Sequence, residues 1–170
     1  MGENWRIVPW QSLRGRNGAV LKYVPVREEG SRDVEAYQNL FTPRTKMVAL
    51  TSMANALGTI TPIREMIRIA HERGVPVLVD ACQGVVHMPT DVQDMDCDFL
   101  VCSGHKLYGP TGIGLLYGKA EHLKSMRPYR GGGEMIREVG LDNVTSACPF
   151  YTSDAADDPP QLSHPVRHSH

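Results

Sequence analysis

The stretch from Thr61 to Asp80 narrows the fold of this chain more than any other. Thr61 can cap a helix and Pro62 can take its first position, where a missing N–H costs nothing. Ile63, Met66, Ile67 and Ala70 then recur on one face, and Gly74 closes the helix. Pro76 leads into Val77-Leu78-Val79, which is apolar at every position. With the short apolar run Met47-Val48-Ala49-Leu50 upstream, the order is strand, helix, buried strand. A strand apolar on both faces belongs in a parallel sheet covered by helices. The expected class is therefore α/β, a mainly parallel sheet with flanking helices.

Elements on either side extend that pattern. A short helical segment, Trp10 to Leu13, ends in the Gly15–Gly18 turn, and Val20 to Val24 reads as a strand. Asp33 is placed to cap a helix carrying Val34, Tyr37, Leu40 and Phe41 on one face, with Thr42-Pro43 as its stop. Phe99 to Cys102 and Ile113 to Tyr117 read as further strands. The character changes near Ser146. Residues 151–170 hold Asp154, Asp157, Asp158, Pro159-Pro160, His164, His168 and His170 without apolar periodicity, so 146–170 reads as an unstructured tail.

Charge removes some classes of partner. Eighteen Lys and Arg face nineteen Asp and Glu, a net charge of −1, with no basic run to meet a phosphate backbone or an anionic membrane. No segment has the roughly 20 apolar residues that a membrane-spanning helix needs, and no signal peptide is visible. The expectation is a cytoplasmic protein with no nucleic-acid or membrane partner. Cys82, Cys97, Cys102 and Cys148 show no C-x-x-C spacing and read as buried reduced thiols, and no metal site is expected from them or from the terminal histidines.

In open α/β sheets, functional residues gather beyond the carboxyl ends of the strands. That rule selects Asp80, directly after Val77-Leu78-Val79, and Ser103-Gly104-His105-Lys106, directly after Phe99 to Cys102. Singly, Asp80 reads as a helix cap and Lys106 as a solvated loop lysine. Together, a carboxylate and a lysine at two strand ends of one sheet point to a cofactor site. Other motifs fail in detail. Val101 stands where a nucleophile elbow needs glycine, and Gly109 to Gly114 has neither dinucleotide nor P-loop spacing and precedes a strand. A lysine amine and an aspartate suit pyridoxal phosphate: the amine forms a Schiff base with the aldehyde, and the carboxylate keeps the pyridine nitrogen protonated. Ser103 and His105 are placed to hydrogen-bond the phosphate.

The run Val77-Leu78-Val79-Asp80-Ala81-Cys82-Gln83, then His87, Asp96-Cys97-Asp98-Phe99 and Ser103-Gly104-His105-Lys106-Leu107-Tyr108-Gly109-Pro110-Thr111-Gly112-Ile113-Gly114, closely resembles the class V aminotransferase family, in particular SUF-type cysteine desulfurases and selenocysteine lyases. Ile7-Val8-Pro9-Trp10-Gln11, Asn55-Ala56-Leu57-Gly58-Thr59 and Gly131-Gly132-Gly133-Glu134-Met135-Ile136 match in order and spacing as well. The resemblance implies residues 7–145 as part of the cofactor-binding large domain of a fold-type I pyridoxal phosphate enzyme. It implies Lys106 as the Schiff-base lysine, Asp80 at the pyridine nitrogen, Gln83 at the ring hydroxyl, Ser103 and His105 at the phosphate, and Asn55 near the ring and substrate carboxylate. It further implies a cysteine or selenocysteine substrate, a homo-oligomer, and a sulfur-acceptor protein in iron–sulfur cluster supply.

The departures are specific. Gly2-Glu3-Asn4 stands where the family has Glu-His-His, so the ring-stacking histidine is missing, and Ser52 replaces a usual histidine. The upstream glycine-threonine phosphate loop, the Arg-Phe-Glu-x-Gly-Thr segment and the domain carrying the persulfide cysteine have no counterpart in these 170 residues. None of the four cysteines matches that nucleophile. The expectation is little or no desulfurase activity from this chain alone, with a catalytically inactive fragment or isoform acting as an interaction module as the alternative to an enzyme.

Overall fold

A computed structural model of the chain describes residues 4–126, with side chains from Pro9 onward, and the strands Ile136–Val139 and Val144–Ser146. Two compact units, Met1–Gly118 and Lys119–His170, divide the chain. The first holds a four-stranded sheet ordered β1 (Val48–Thr51), β2 (Val77–Asp80), β3 (Phe99–Ser103) and β4 (Gly114–Gly118). Helices α1 (Asn4–Asn17), α2 (Val34–Asn39), α3 (Ile63–His71), α4 (Gly84–His87) and α5 (Val92–Met95) complete it. In the second unit lie α6 (Ala120–Ser125) and an antiparallel pair, β5 (Ile136–Val139) and β6 (Val144–Ser146). The Gly131-Gly132-Gly133 turn, Cys148 and residues 147–170 lie outside the described residues, as does most of the expected 146–170 tail.

The expected strand–helix–strand unit is present. β1 pairs in parallel with β2, Val48 opposite Val77 and Thr51 opposite Asp80, and β2 pairs in parallel with β3, Asp80 opposite Val101. Helix α3 buries Ile63, Met66, Ile67, Ile69 and Ala70, which join Leu50, Val77, Val79, Ala81, Cys97 and Leu100 in one core. Asp33 caps α2, its carboxylate accepting from the Ala36 N–H at 2.9 Å. That cap sets Tyr37 into the core, where its hydroxyl donates to the Met66 carbonyl at 2.9 Å and its ring meets Phe41 edge-on at 5.0 Å. At the far end of the sheet, buried Asp98 accepts from the Val77 N–H at 2.7 Å and pairs with His71 at 2.8 Å, tying the end of α3 to the starts of β2 and β3.

Four details differ from expectation. The strand Ile113 to Tyr117 forms as β4 but runs antiparallel to β3, Ser103 opposite Gly114, making the sheet mixed. The turn 104–113 is too short for the crossover of a dozen or more residues that a parallel partner requires. Val20 to Val24 forms no strand: Val20 is exposed, and the only pairing nearby is the bridge Val26–Arg32. Helix α1 extends well beyond Trp10–Leu13 and stops at Gly18, whose φ of 65° reverses the chain while its N–H reaches the Arg14 carbonyl. Finally, α3 begins at Ile63 with Pro62 in the cap position, and Thr61 is buried with its N–H donated to the Ser52 carbonyl, not placed as a side-chain cap.

The two faces of the sheet have different fates. Val77 and Val79 point into the core, whereas Leu78 and Asp80 on the opposite face of β2 are half-buried. Registration puts Ala49 and Thr51, Leu78 and Asp80, and Val101 and Ser103 on that second face. Both candidate strand-end side chains, Asp80 and Ser103, therefore lie on the face that α3 does not cover.

Candidate active site

Each of the three parallel strands runs into a loop carrying candidate residues. Past β1 the chain folds back on itself: Met53 bridges Ile60, the Ala54 N–H donates to Thr59, and the Gly58 N–H donates to Ala54. Asn55 sits exposed in this turn. Past β2, the Ala81 N–H continues the ladder to the Val101 carbonyl at 2.9 Å, and the Asp80 carboxylate accepts from the Cys82 N–H at 3.0 Å. Asp80 thus closes a turn of its own. Gln83, half-buried, stands at the start of α4, and His87 is exposed at its end.

Past β3 the chain enters a single 3-10 turn, Gly104–Lys106. The Gly104 carbonyl accepts from both the Leu107 and Gly109 N–H groups at 2.9 Å, and its own N–H donates to Ile113. Here the fold leaves little space for a Cβ. A Cβ on Gly104 would stand 2.8 Å from Ile113 Cγ1, one on Gly109 3.0 Å from the Gly104 carbonyl oxygen, and one on Gly114 2.8 Å from the Cys102 oxygen. Tyr108 takes a left-handed conformation, φ 58°, to finish the turn. The result fixes the backbone that carries exposed His105 and half-buried Lys106.

The structure therefore brings all six sequence-selected residues to the carboxyl end of adjacent strands: Asn55 beyond β1, Asp80 and Gln83 at and beyond β2, and Ser103, His105 and Lys106 at and beyond β3. Asp80 and Ser103 are also linked, through Cys82. Cys82 Sγ lies 3.2 Å from Ser103 Oγ, and its thiol is hydrogen-bonded to the Asp80 side chain too. Burial first, and the Asp80 bond with it, push the Cys82 thiol above its ordinary pKa, against an opposing pull from Ser103. At neutral pH it is a neutral thiol.

Sequence reasoning placed Cys82 only in the core and treated Ser52 only as a departure from a family histidine. Both have local roles. Ser52, buried one residue past β1, donates through its N–H to the Asp80 carbonyl at 2.9 Å and through Oγ at 3.3 Å. A Cβ on Gly84 would come within 2.3 Å of that hydroxyl, so the start of α4 packs directly on Ser52. The strand-end rule that selected Asp80 applies equally to Ser52. Cys82, Cys97 and Cys102 are all buried and form no disulfide, as expected.

The residue types at this sheet end suit a flat, anionic, aldehyde-bearing group: a carboxylate, an amide, a hydroxyl, an imidazole and an amine, on a backbone that three glycines bring close. The family model for class V aminotransferases matches residues 1–154. The chain belongs to the class V aminotransferase family. It is 50% identical over 146 residues to a cysteine desulfurase of Escherichia coli O8 (strain IAI1), covering 86% of this chain and 36% of that protein. It is 49% identical over the same length to a probable cysteine desulfurase of Synechocystis, covering 35% of it. Among solved structures, the cysteine desulfurase CsdA from Escherichia coli superposes with a TM-score of 0.81 at 43% identity, over 86% of this chain and 37% of that one. A cysteine desulfurase from Thermococcus onnurineus NA1, solved in its apo form, gives a TM-score of 0.77 at 34% identity, over 87% and 37%. The chain thus spans little more than a third of the length of these class V relatives, and its mostly parallel sheet with flanking helices is part of their fold-type I architecture.

Proposed function

We propose that this chain forms the cofactor-holding part of a pyridoxal-phosphate-dependent cysteine desulfurase, which takes sulfur from L-cysteine and leaves alanine. One observation carries the reading: the loops beyond three adjacent parallel strands gather Asn55, Asp80 with Gln83, and Ser103 with His105 and Lys106 at one end of the sheet. Asp80 would hold the proton on the pyridine nitrogen and Gln83 would bond the ring hydroxyl. Ser103 and His105 would donate to the phosphate, and Asn55 would orient the substrate carboxylate. Lys106 Nζ would anchor the group through its aldehyde carbon and serve as the proton carrier of the site. Bound there, pyridoxal phosphate supplies an electron sink for bonds at the substrate's α-carbon.

Sulfur transfer needs a thiolate that attacks the substrate sulfur, taking it as a persulfide while the carbon–sulfur electron pair and a proton remain with alanine. Cys82, Cys97 and Cys102 are buried, and Cys82 is held as a neutral thiol, so none of the three presents that thiolate. The nucleophile is another residue or a partner's. A sulfur-acceptor protein in iron–sulfur cluster supply, a homo-oligomeric assembly and a cytoplasmic setting belong to the same reading. Three buried cysteines outside any disulfide suit a reducing compartment.

A second reading, an inactive form acting as an interaction module, draws support from the start of β4, where Ile113 just before the strand and Leu115 and Leu116 within it are 60%, 55% and 48% exposed. Borohydride reduction in the presence of pyridoxal phosphate, followed by peptide mapping, separates the two. The enzyme reading expects the pyridoxyl label on Lys106. A label spread over surface lysines, or none, favours the interaction module. Alanine release from cysteine by the 170-residue chain is expected to stay at the level of Lys106→Ala.

A further inference from the structure

The Cys82 thiol does not take part in the chemistry above, yet it sits between two side chains that do. Asp80 ends β2 and Ser103 ends β3, on the same face of the sheet and on neighbouring strands. Each has a rotatable side chain at the carboxyl end of its strand, and the ladder sets the spacing of the backbones beneath them. Cys82 spans the two side chains. Its N–H holds Asp80 Oδ1 at 3.0 Å, and its Sγ meets Ser103 Oγ at 3.2 Å and bonds the Asp80 side chain.

We propose that Cys82 is a positioning residue for the cofactor: its thiol donates to Asp80 and accepts from Ser103, fixing the distance between the carboxylate that faces the pyridine nitrogen and the hydroxyl that faces the phosphate. The proposal rests on the reading of the site as a pyridoxal phosphate site. Two properties make the thiol suitable. Cys82 is 5% exposed, so its two bonds escape competition from water. It is also neutral, so it adds no second negative charge beside Asp80 and the incoming phosphate. A thiol is a weak donor and acceptor, and a hydroxyl at the same place can make both bonds, whereas a methyl can make neither.

The experiment is a titration of the 170-residue chain with pyridoxal phosphate, followed by visible absorbance, for wild type, Cys82→Ser, Cys82→Ala, Cys82→Val and Lys106→Ala. Thermal unfolding without cofactor is measured alongside. Losing one or two weak thiol hydrogen bonds predicts affinity about three- to tenfold weaker in Cys82→Ala, with a displaced absorbance maximum, and affinity within about twofold of wild type in Cys82→Ser. Cys82→Val fills the space without a donor and is expected to weaken binding as Cys82→Ala does, which keeps the comparison intact if the alanine variant does not fold. Affinity and absorbance maximum unchanged in whichever of the two folds would overturn the proposal, as would failure of Cys82→Ser to restore both. A wild-type chain that develops no Lys106-dependent band removes the cofactor reading itself and the proposal with it, a distinct outcome from an unchanged Cys82→Ala or Cys82→Val.

Discussion

Gly104 shows how one residue can decide whether this site exists. Its missing side chain lets Ile113 approach, and its carbonyl collects two N–H groups that shape the lysine turn. In Gly104→Ala the new methyl meets Ile113 side chain and backbone, so the turn must open at a cost of about 1–3 kcal/mol. Pyridoxal phosphate binding is expected to fall much more than the unfolding midpoint, because the displaced backbone carries Lys106; equal binding to wild type would show that the turn is not the support described. Tyr37 offers a test of the core at the same scale. Burial pushes its hydroxyl up to about 12, so the folded state favours the neutral phenol. That contribution is intact below the ordinary tyrosine value near 10 and is lost as pH rises from about 10 to 12. Alkaline melts should therefore show a loss of stability that Tyr37→Phe lacks, while Tyr37→Phe costs about 1 kcal/mol at neutral pH through the Met66 carbonyl bond.

Helix α3 is the element that makes the sheet a base for the site. Met66 is fully buried beneath it. Met66→Ala should destabilise the first unit by about 2–5 kcal/mol in denaturant titration; a change under 1 kcal/mol would mean that α3 is not anchored on β1 to β3 as described. This element was legible because its apolar spacing, its proline and its closing glycine agree with one another, and because Val77 to Val79 has no polar face. The site was legible for a related reason, since Asp80 and Lys106 follow strands that hydrophobicity alone reveals. What local pattern leaves open is pairing. Val20 to Val24 has strand-forming residues and no partner, and Ile113 to Tyr117 pairs in the direction that its short connection allows. The Cys82–Ser103 bond lies further from view, because it joins residues from two strands whose register only the folded sheet defines.

At the scale of the molecule, the chain spans about 36% of the relatives it matches, and its first unit leaves one sheet face half-buried and apolar side chains on and beside β4 exposed among the described residues. Ile113, Leu115 and Leu116 at that surface should drive association. Sedimentation velocity is expected to show concentration-dependent species that Leu116→Lys reduces, whereas a single monomer across concentrations would contradict this. Whether the three strand ends hold pyridoxal phosphate on Lys106 is tested most directly by visible absorbance of the purified 170-residue chain during addition of the cofactor, beside Lys106→Ala. A saturable yellow band is expected in the wild-type chain and absent from Lys106→Ala. A colourless wild-type chain at excess pyridoxal phosphate, or an equal band in both proteins, would contradict binding through Lys106.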